Sequence, residues 1–261
     1  MGVRIGETEM NSRTRARIGV VVPFSNTNLE SDMILLRPAE ASLHFTRAGG
    51  YDLDATPDAD QMRKFALTSV EPAITSLAAV RPHAILYGCT SATISLGRQF
   101  DIEFCQSIQR QCGVPAITAA GALVEALGDL GVKRLGFCSP YVESLNRMAM
   151  AFLQSCGFEI VSSAYVREDL GNYGQGALRP EEVMELGWRA NDRSAEAIAI
   201  SCTDVRAVEA IEALERRIQK PVVTSNQALM FCAAKRLGLE RSSLPPIGRL
   251  LRQAGALAVA V

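Results

Sequence analysis

Two cysteines stand out for what surrounds them. Cys89 lies in HAILYGCTSATISLG (83–97) and Cys202 in AIAISCTDVRAVEA (197–210); in each, a short apolar run stops at the cysteine and threonine follows. A thiolate is a nucleophile and a base, and a thiol is a proton donor. Two thiols facing one carbon offer two chemistries. One removes a proton while the other returns one to the opposite face, or one attacks an activated alkene and the other protonates the adduct. Neither scheme needs a histidine base, and the chain has only His44 and His83. The alternative is that both are small buried hydrophobes at strand ends; Cys105, Cys112, Cys138, Cys156 and Cys232 lack this context and read as structural.

Positioning two such groups requires elements that end at the same place. RIGVVVP (17–23), AILYGC (84–89) and VPAIT (114–118) read as short buried strands. SNTNLESDMILLR reads as a helix capped by Ser25 or Asn26, and residues 56–82 as helical with Pro72 marking a break or a first turn. The pattern then restarts. KRLGFCSPY (133–141) mirrors RIGVVVPF, AIAISC (197–202) mirrors AILYGC, and KPVVTSNQALMF (220–231) mirrors VPAITAAGALVE (114–125) at an offset of 106. EIVSSAYV reads as a further strand, with helices over 141–158, from Pro180, and over 204–219. Strands alternating with helices in a duplicated chain predict an α/β fold of two pseudo-symmetric lobes, each a short parallel sheet flanked by helices. The expected division is residues 17–118 plus 226–250 for the N-terminal lobe, 119–225 for the C-terminal lobe, and a flexible tail over 1–16. Ligands of such sheets collect at the carboxyl ends of the strands, which here means the cleft between lobes. There, both cysteines are expected to precede a helix, whose free amides lower a thiol's pKa and bind carboxylates. Thr90, Ser91, Thr203 and Asp204 are the caps or anion donors of those helices.

Composition narrows the class. The 261 residues carry a net charge of −1 and are 48% hydrophobic, which fits a soluble globular protein with small-molecule or protein partners and gives no reason to expect nucleic acid. No apolar run is long enough to span a membrane, and the polar N-terminus has no signal-peptide core, so a cytoplasmic location is expected. Seven irregularly spaced cysteines without a CxxC pair argue against a disulfide framework or a metal site.

Taken together, VPFSNTNLE, YGCTS, SPY, SCTD and PVVTSNQA resemble the aspartate/glutamate racemase superfamily over about residues 17–239. They are most similar to its branch of maleate cis–trans isomerases, arylmalonate decarboxylases and ectoine-utilisation proteins. The resemblance implies a cofactor-independent enzyme and a homodimer or higher homo-oligomer. It implies Cys89 as nucleophile, Cys202 as proton donor, and Asn26, Tyr141 and Asn172 as ligands of a substrate carboxylate, with Thr90 and Ser91 as further donors. Phe24 and Asn28 depart from the family pattern. Arylmalonate decarboxylases keep only the second cysteine, so the pair argues against that chemistry and permits isomerase or racemase chemistry. The expected activity is maleate-like cis–trans isomerisation of a small dicarboxylate. Left open are a two-cysteine amino-acid racemase in a catabolic pathway such as ectoine degradation, an arylmalonate-type decarboxylase, and a non-catalytic small-acid binding protein.

Overall fold

The computed structural model describes residues 15–49 and 59–252. The first half runs β1 (Ala16–Pro23), α1 (Leu29–Leu36), β2 (Ala41–Ala48), α2 (Ala59–Thr68), α3 (Val70–Ala78), β3 (Ala84–Tyr87), α4 (Thr90–Ile94), α5 (Gly97–Cys112), β4 (Ala116–Thr118) and α6 (Ala119–Asp129). The second runs β5 (Arg134–Ser139), α7 (Glu143–Ser155), β6 (Glu159–Tyr165), a 3₁₀ turn (Gly174–Ala177), α8 (Pro180–Arg189), β7 (Ala197–Ile200), α9 (Ala207–Ile218), β8 (Val222–Thr224) and α10 (Ser225–Arg236). A 3₁₀ turn (Arg241–Ser243) and α11 (Gly248–Arg252) follow.

Two four-stranded sheets result, ordered β2-β1-β3-β4 and β6-β5-β7-β8, with every neighbouring pair parallel. The order is the same when each strand of the second sheet is matched to its counterpart in the first. This is the two-lobed α/β architecture expected from the repeat. The central strands β1, β3, β5 and β7 are largely or wholly buried, as β-branched and aliphatic runs covered on both faces must be. The repeat reaches into capping. Thr118 accepts a hydrogen bond from the Gly121 amide at the start of α6, and Thr224 does the same for Gln227 at the start of α10.

α6 and α10 pack on each other between the sheets. α10 also meets α1, β3 and β4 of the first lobe, and α6 meets β8 of the second. One apolar core, containing Ile18 and Val20 as well as Phe137 and Ile198, therefore runs through both sheets. A second cluster lies under α2, α3 and α5. α11 packs on α9 and β8, and the Glu215 carboxylate accepts from the Arg249 amide at 2.9 Å. α11 thus contacts elements that belong to the second sheet's half of the chain.

Other local expectations are adjusted. β2, one of the two edge strands of its sheet, has no counterpart among the strands read from the sequence. The helical stretch before β3 breaks at Ser69, and Pro72 falls in the first turn of α3, where a missing amide hydrogen costs nothing. The expected tail over 1–16 lies outside the described residues except at its end, where Ala16 already belongs to β1.

Candidate active site

Four chain segments meet beyond the carboxyl ends of the inner strands: 24–28 after β1, 88–91 after β3, 140–141 after β5 and 201–204 after β7. The loop before α8 closes over them. Between them lies a cavity of ≈ 70 Å³, and all eight residues singled out in the sequence line it: Asn26, Cys89, Thr90, Ser91, Tyr141, Asn172, Cys202 and Thr203.

Cys89 is the N-cap residue of α4 and is 6% exposed. The Ser91 hydroxyl lies 3.7 Å from its sulfur, and the Ser91 and Ala92 amides face it. Burial raises the thiol pKa, and those three donors pull it back. The preceding Gly88 lets two segments approach, since a Cβ there would collide with Leu29 and sit 2.9 Å from the Val21 carbonyl oxygen.

Cys202 has different surroundings. Its φ is +136°, a region that residues with side chains rarely occupy, and the neighbouring chain is tied down on every side. The Cys202 amide donates to Ser225 Oγ at 3.3 Å, and Thr203 Oγ1 donates to the Gly88 carbonyl at 2.8 Å. Asn226 Nδ2 donates to the Thr203 carbonyl at 3.0 Å. The sulfur faces Gln175 Oε1 at 3.2 Å, the Asp204 amide at 3.4 Å and the Tyr141 hydroxyl. Burial first, and then the Asp204 carboxylate, drive this thiol's pKa well above the ordinary range. The expectation that both cysteines sit at helix starts with lowered pKa values is corrected here. α9 begins only at Ala207, so no helix terminus serves Cys202, and burial raises both thiols.

Asn26 does two things at once. Its Oδ1 accepts from the Asn28 and Leu29 amides at 3.1 and 2.8 Å, capping α1. Its Nδ2 donates to Thr203 Oγ1 at 3.0 Å on the other lobe. Arg47 holds the same loop by donating to the Asn26 carbonyl at 2.7 Å. Asn172 Oδ1 accepts from Ser25 Oγ at 3.2 Å, which leaves its Nδ2 buried without a partner beside the cavity. A buried donor of this kind favours an acceptor-bearing ligand. Tyr141 is 2% exposed, and its hydroxyl lies 3.3 Å from Ser201 Oγ. The Thr90 and Thr203 hydroxyls are spent on the join between lobes, where Thr90 Oγ1 donates to Ser225 Oγ at 3.1 Å.

Sequence reasoning missed Gln175 and the use made of Asp204. Asp204 Oδ1 accepts from the Thr27 and Asn28 amides at 2.7 and 3.1 Å, so a residue of the second lobe orders the loop of the first. Phe24, Met62, Phe65 and Leu145 form an apolar wall, with Phe24 edge-on to Phe65 at 5.9 Å. Among the described residues, no group of three or more His, Cys, Asp or Glu is placed to hold a metal ion, and no helix is long and apolar enough to cross a membrane.

Residues 18–251 match the sequence profile of arylmalonate decarboxylase. The chain belongs to that family. Within the family it is similar to maleate isomerase of Alcaligenes faecalis, with 27% identity over 245 residues, 90% of this chain and 96% of that one. It is also similar to arylmalonate decarboxylase of Bordetella bronchiseptica, with 26% identity over 255 residues, 92% of this chain and 98% of the relative. A solved structure superposes with a TM-score of 0.83 at 28% identity, covering 93% of this chain and all of the other. That structure is of Nocardia farcinica maleate cis–trans isomerase, in a variant with one cysteine replaced by serine and a covalently bound succinylcysteine intermediate.

Proposed function

We propose that this chain is a cofactor-independent isomerase of a small cis-enedicarboxylate, with maleate as the reference substrate and fumarate as product. One observation carries the reading: two buried thiols from matching ends of two sheets line one cavity with different neighbours. Cys89 faces hydrogen-bond donors and no carboxylate, which suits a thiolate. Cys202 sits beside the Asp204 carboxylate, which keeps it a thiol.

The roles follow from that asymmetry. Cys89 Sγ adds to C2 of the alkene, and the electron pair moves onto C3 and its carboxylate. Asn172 Nδ2 and the Tyr141 hydroxyl are the donors for the charge that develops, while Asn26, Thr90, Ser91 and Thr203 shape the polar wall around the carboxylates. The Cys202 thiol protonates C3 to give a succinyl thioether. Rotation about C2–C3 follows, Cys202 takes the proton back from C3, and the C–S bond breaks to release the trans acid. Every atom and electron is returned, so neither a metal nor a redox cofactor enters the scheme. The similarity to maleate isomerases and the succinylcysteine found in one of them support the same assignment.

A cytoplasmic location and a homo-oligomeric state complete the reading. Free thiols at all seven cysteines fit a reducing compartment. Ile34 and Leu35, exposed at 61% and 50% on α1, fit a contact between copies.

Proton NMR in D₂O separates the alternatives. Isomerase chemistry converts maleate to fumarate and leaves L-aspartate and phenylmalonate unchanged. Deuteration and racemisation of aspartate, or loss of carbon dioxide from phenylmalonate, with maleate inert, would overturn the reading.

A further inference from the structure

In the scheme above Cys202 is a thiol at the start of a turnover, a thiolate in the middle and a thiol again at the end. Its partners must serve both states. A thiol needs an acceptor, and a thiolate needs donors. The Asp204 amide can only donate, and the Asp204 carboxylate disfavours the thiolate. Two side chains on the sulfur offer both functions, the Tyr141 hydroxyl, which is shared with Ser201, and Gln175, whose amide carries a carbonyl oxygen and an NH₂ on one rotatable group. Its Oε1 lies 3.2 Å from Cys202 Sγ, the geometry of a thiol donating to the amide.

We propose that Gln175 is a positioning residue for proton transfer by Cys202: its amide oxygen holds the thiol, and its amide nitrogen turns to the sulfur once the proton has gone to carbon. No bond to Gln175 forms or breaks. The proton moves between Cys202 Sγ and substrate C3, and the amide follows the charge by a half-turn about its last torsion.

The backbone around Gln175 is built to place it. Gly176 packs against Thr27 and Asp204, and a Cβ there would collide with Thr27 Oγ1 and stand 3.0 Å from Asp204 Oδ2. Asn28 Nδ2 donates to the Gly176 carbonyl at 3.0 Å and to the Asp204 carbonyl at 2.8 Å. The segment that carries Gln175 is thereby fixed to the segment that carries Cys202.

The proposal rests on Cys202 acting as the proton donor, and two measurements keep the two ideas apart. The first is the pH dependence of Cys202 alkylation by iodoacetamide, followed by peptide mass spectrometry on full-length wild type, Q175M and Q175E. It needs no substrate. Methionine fills the space without a donor, and glutamate accepts without donating. Both should slow Cys202 alkylation throughout pH 7–10, by about tenfold or more, with Q175E slower still. The second is turnover of maleate. Q175M should lower kcat at least about tenfold while KM stays within about threefold. An unchanged alkylation rate in both variants, or a loss confined to KM, overturns the role given to Gln175. A slowed alkylation in a protein that does not isomerise maleate upholds the Gln175–Cys202 coupling and overturns the isomerase reading instead.

Discussion

At the scale of single residues, the proposed mechanism rests on two identical side chains with different neighbours. Cys89 and Cys202 have the same chemistry in isolation. Donors at the start of α4 favour the anion of the first, and the Asp204 carboxylate disfavours the anion of the second. Asn26 pairs a structural role with the binding role proposed for it. Its Oδ1 caps α1, and its Nδ2 reaches Thr203 at the edge of the cavity. Two substitutions pull these roles apart. Asn26→Ala removes both and should cost about 1 kcal/mol of stability together with activity. Asn26→Asp keeps the cap acceptor but turns a negative charge toward the substrate carboxylates. Its thermal midpoint should also fall, because a buried carboxylate oxygen replaces the donor to Thr203 Oγ1, while kcat/KM on maleate falls at least about tenfold below that of Asn26→Ala. Equal kcat/KM in the two variants would show that Asn26 only caps.

At the scale of elements, the strands that end at the site were readable, because short runs such as RIGVVVP and AILYGC bury both faces and stop at proline or glycine. β2 was not readable. ASLHFTRA is an edge strand of mostly partly exposed residues, and its mixed composition has no clean period. The Cys202 loop misled for another reason. SCTD mirrors GCTS in letters, yet its threonine and aspartate turn to the other lobe and do not start a helix. Gln175 and Asn226 were silent because their partners lie 27 and 194 residues away. Asn226 joins α10 to α1 by donating to Asp32 Oδ2 at 2.7 Å. Burial lifts Asp32 to a pKa of about 7 against the donation from Asn226, with Glu209 raising it further and Arg206 and the Val208 amide opposing. The folded state therefore holds this carboxyl neutral after the unfolded chain has ionised it. Its contribution to stability is full below pH ~4 and is lost as pH rises through about 7, by up to about 4 kcal/mol. Asp32→Asn lacks this loss. The stability of Asp32→Asn relative to wild type, from urea titrations, should rise between pH 5 and pH 8. A constant difference would mean that Asp32 ionises normally.

At the scale of the whole molecule, neither lobe holds a complete site. The first supplies Cys89 and Asn26, the second supplies Cys202, Tyr141 and Asn172, and hydrogen bonds across the join fix their relation. The pairing of the cysteines was legible because duplication repeats a motif at the same strand end. The join was not, since it depends on how two sheets meet. Gly176 is where this matters most. A methyl group added there has no room against Thr27 and Asp204, so Gly176→Ala should push Asn172 and Gln175 out of register. The expected result is a fall in kcat/KM of at least about tenfold with the thermal midpoint within a few degrees of wild type, because the segment is partly exposed. Full activity in that variant would show that the loop before α8 is not part of the site.

The most direct test follows the bond that distinguishes adding to an alkene from moving a proton. Full-length Cys202→Ser is incubated with maleate, and its intact mass and tryptic peptides are measured. Alkene addition predicts a mass gain of one maleate, confined to the peptide containing Cys89 and absent in Cys89→Ala/Cys202→Ser. An unmodified Cys89 in a Cys202→Ser variant that still isomerises maleate, or an adduct on any other cysteine, would contradict it.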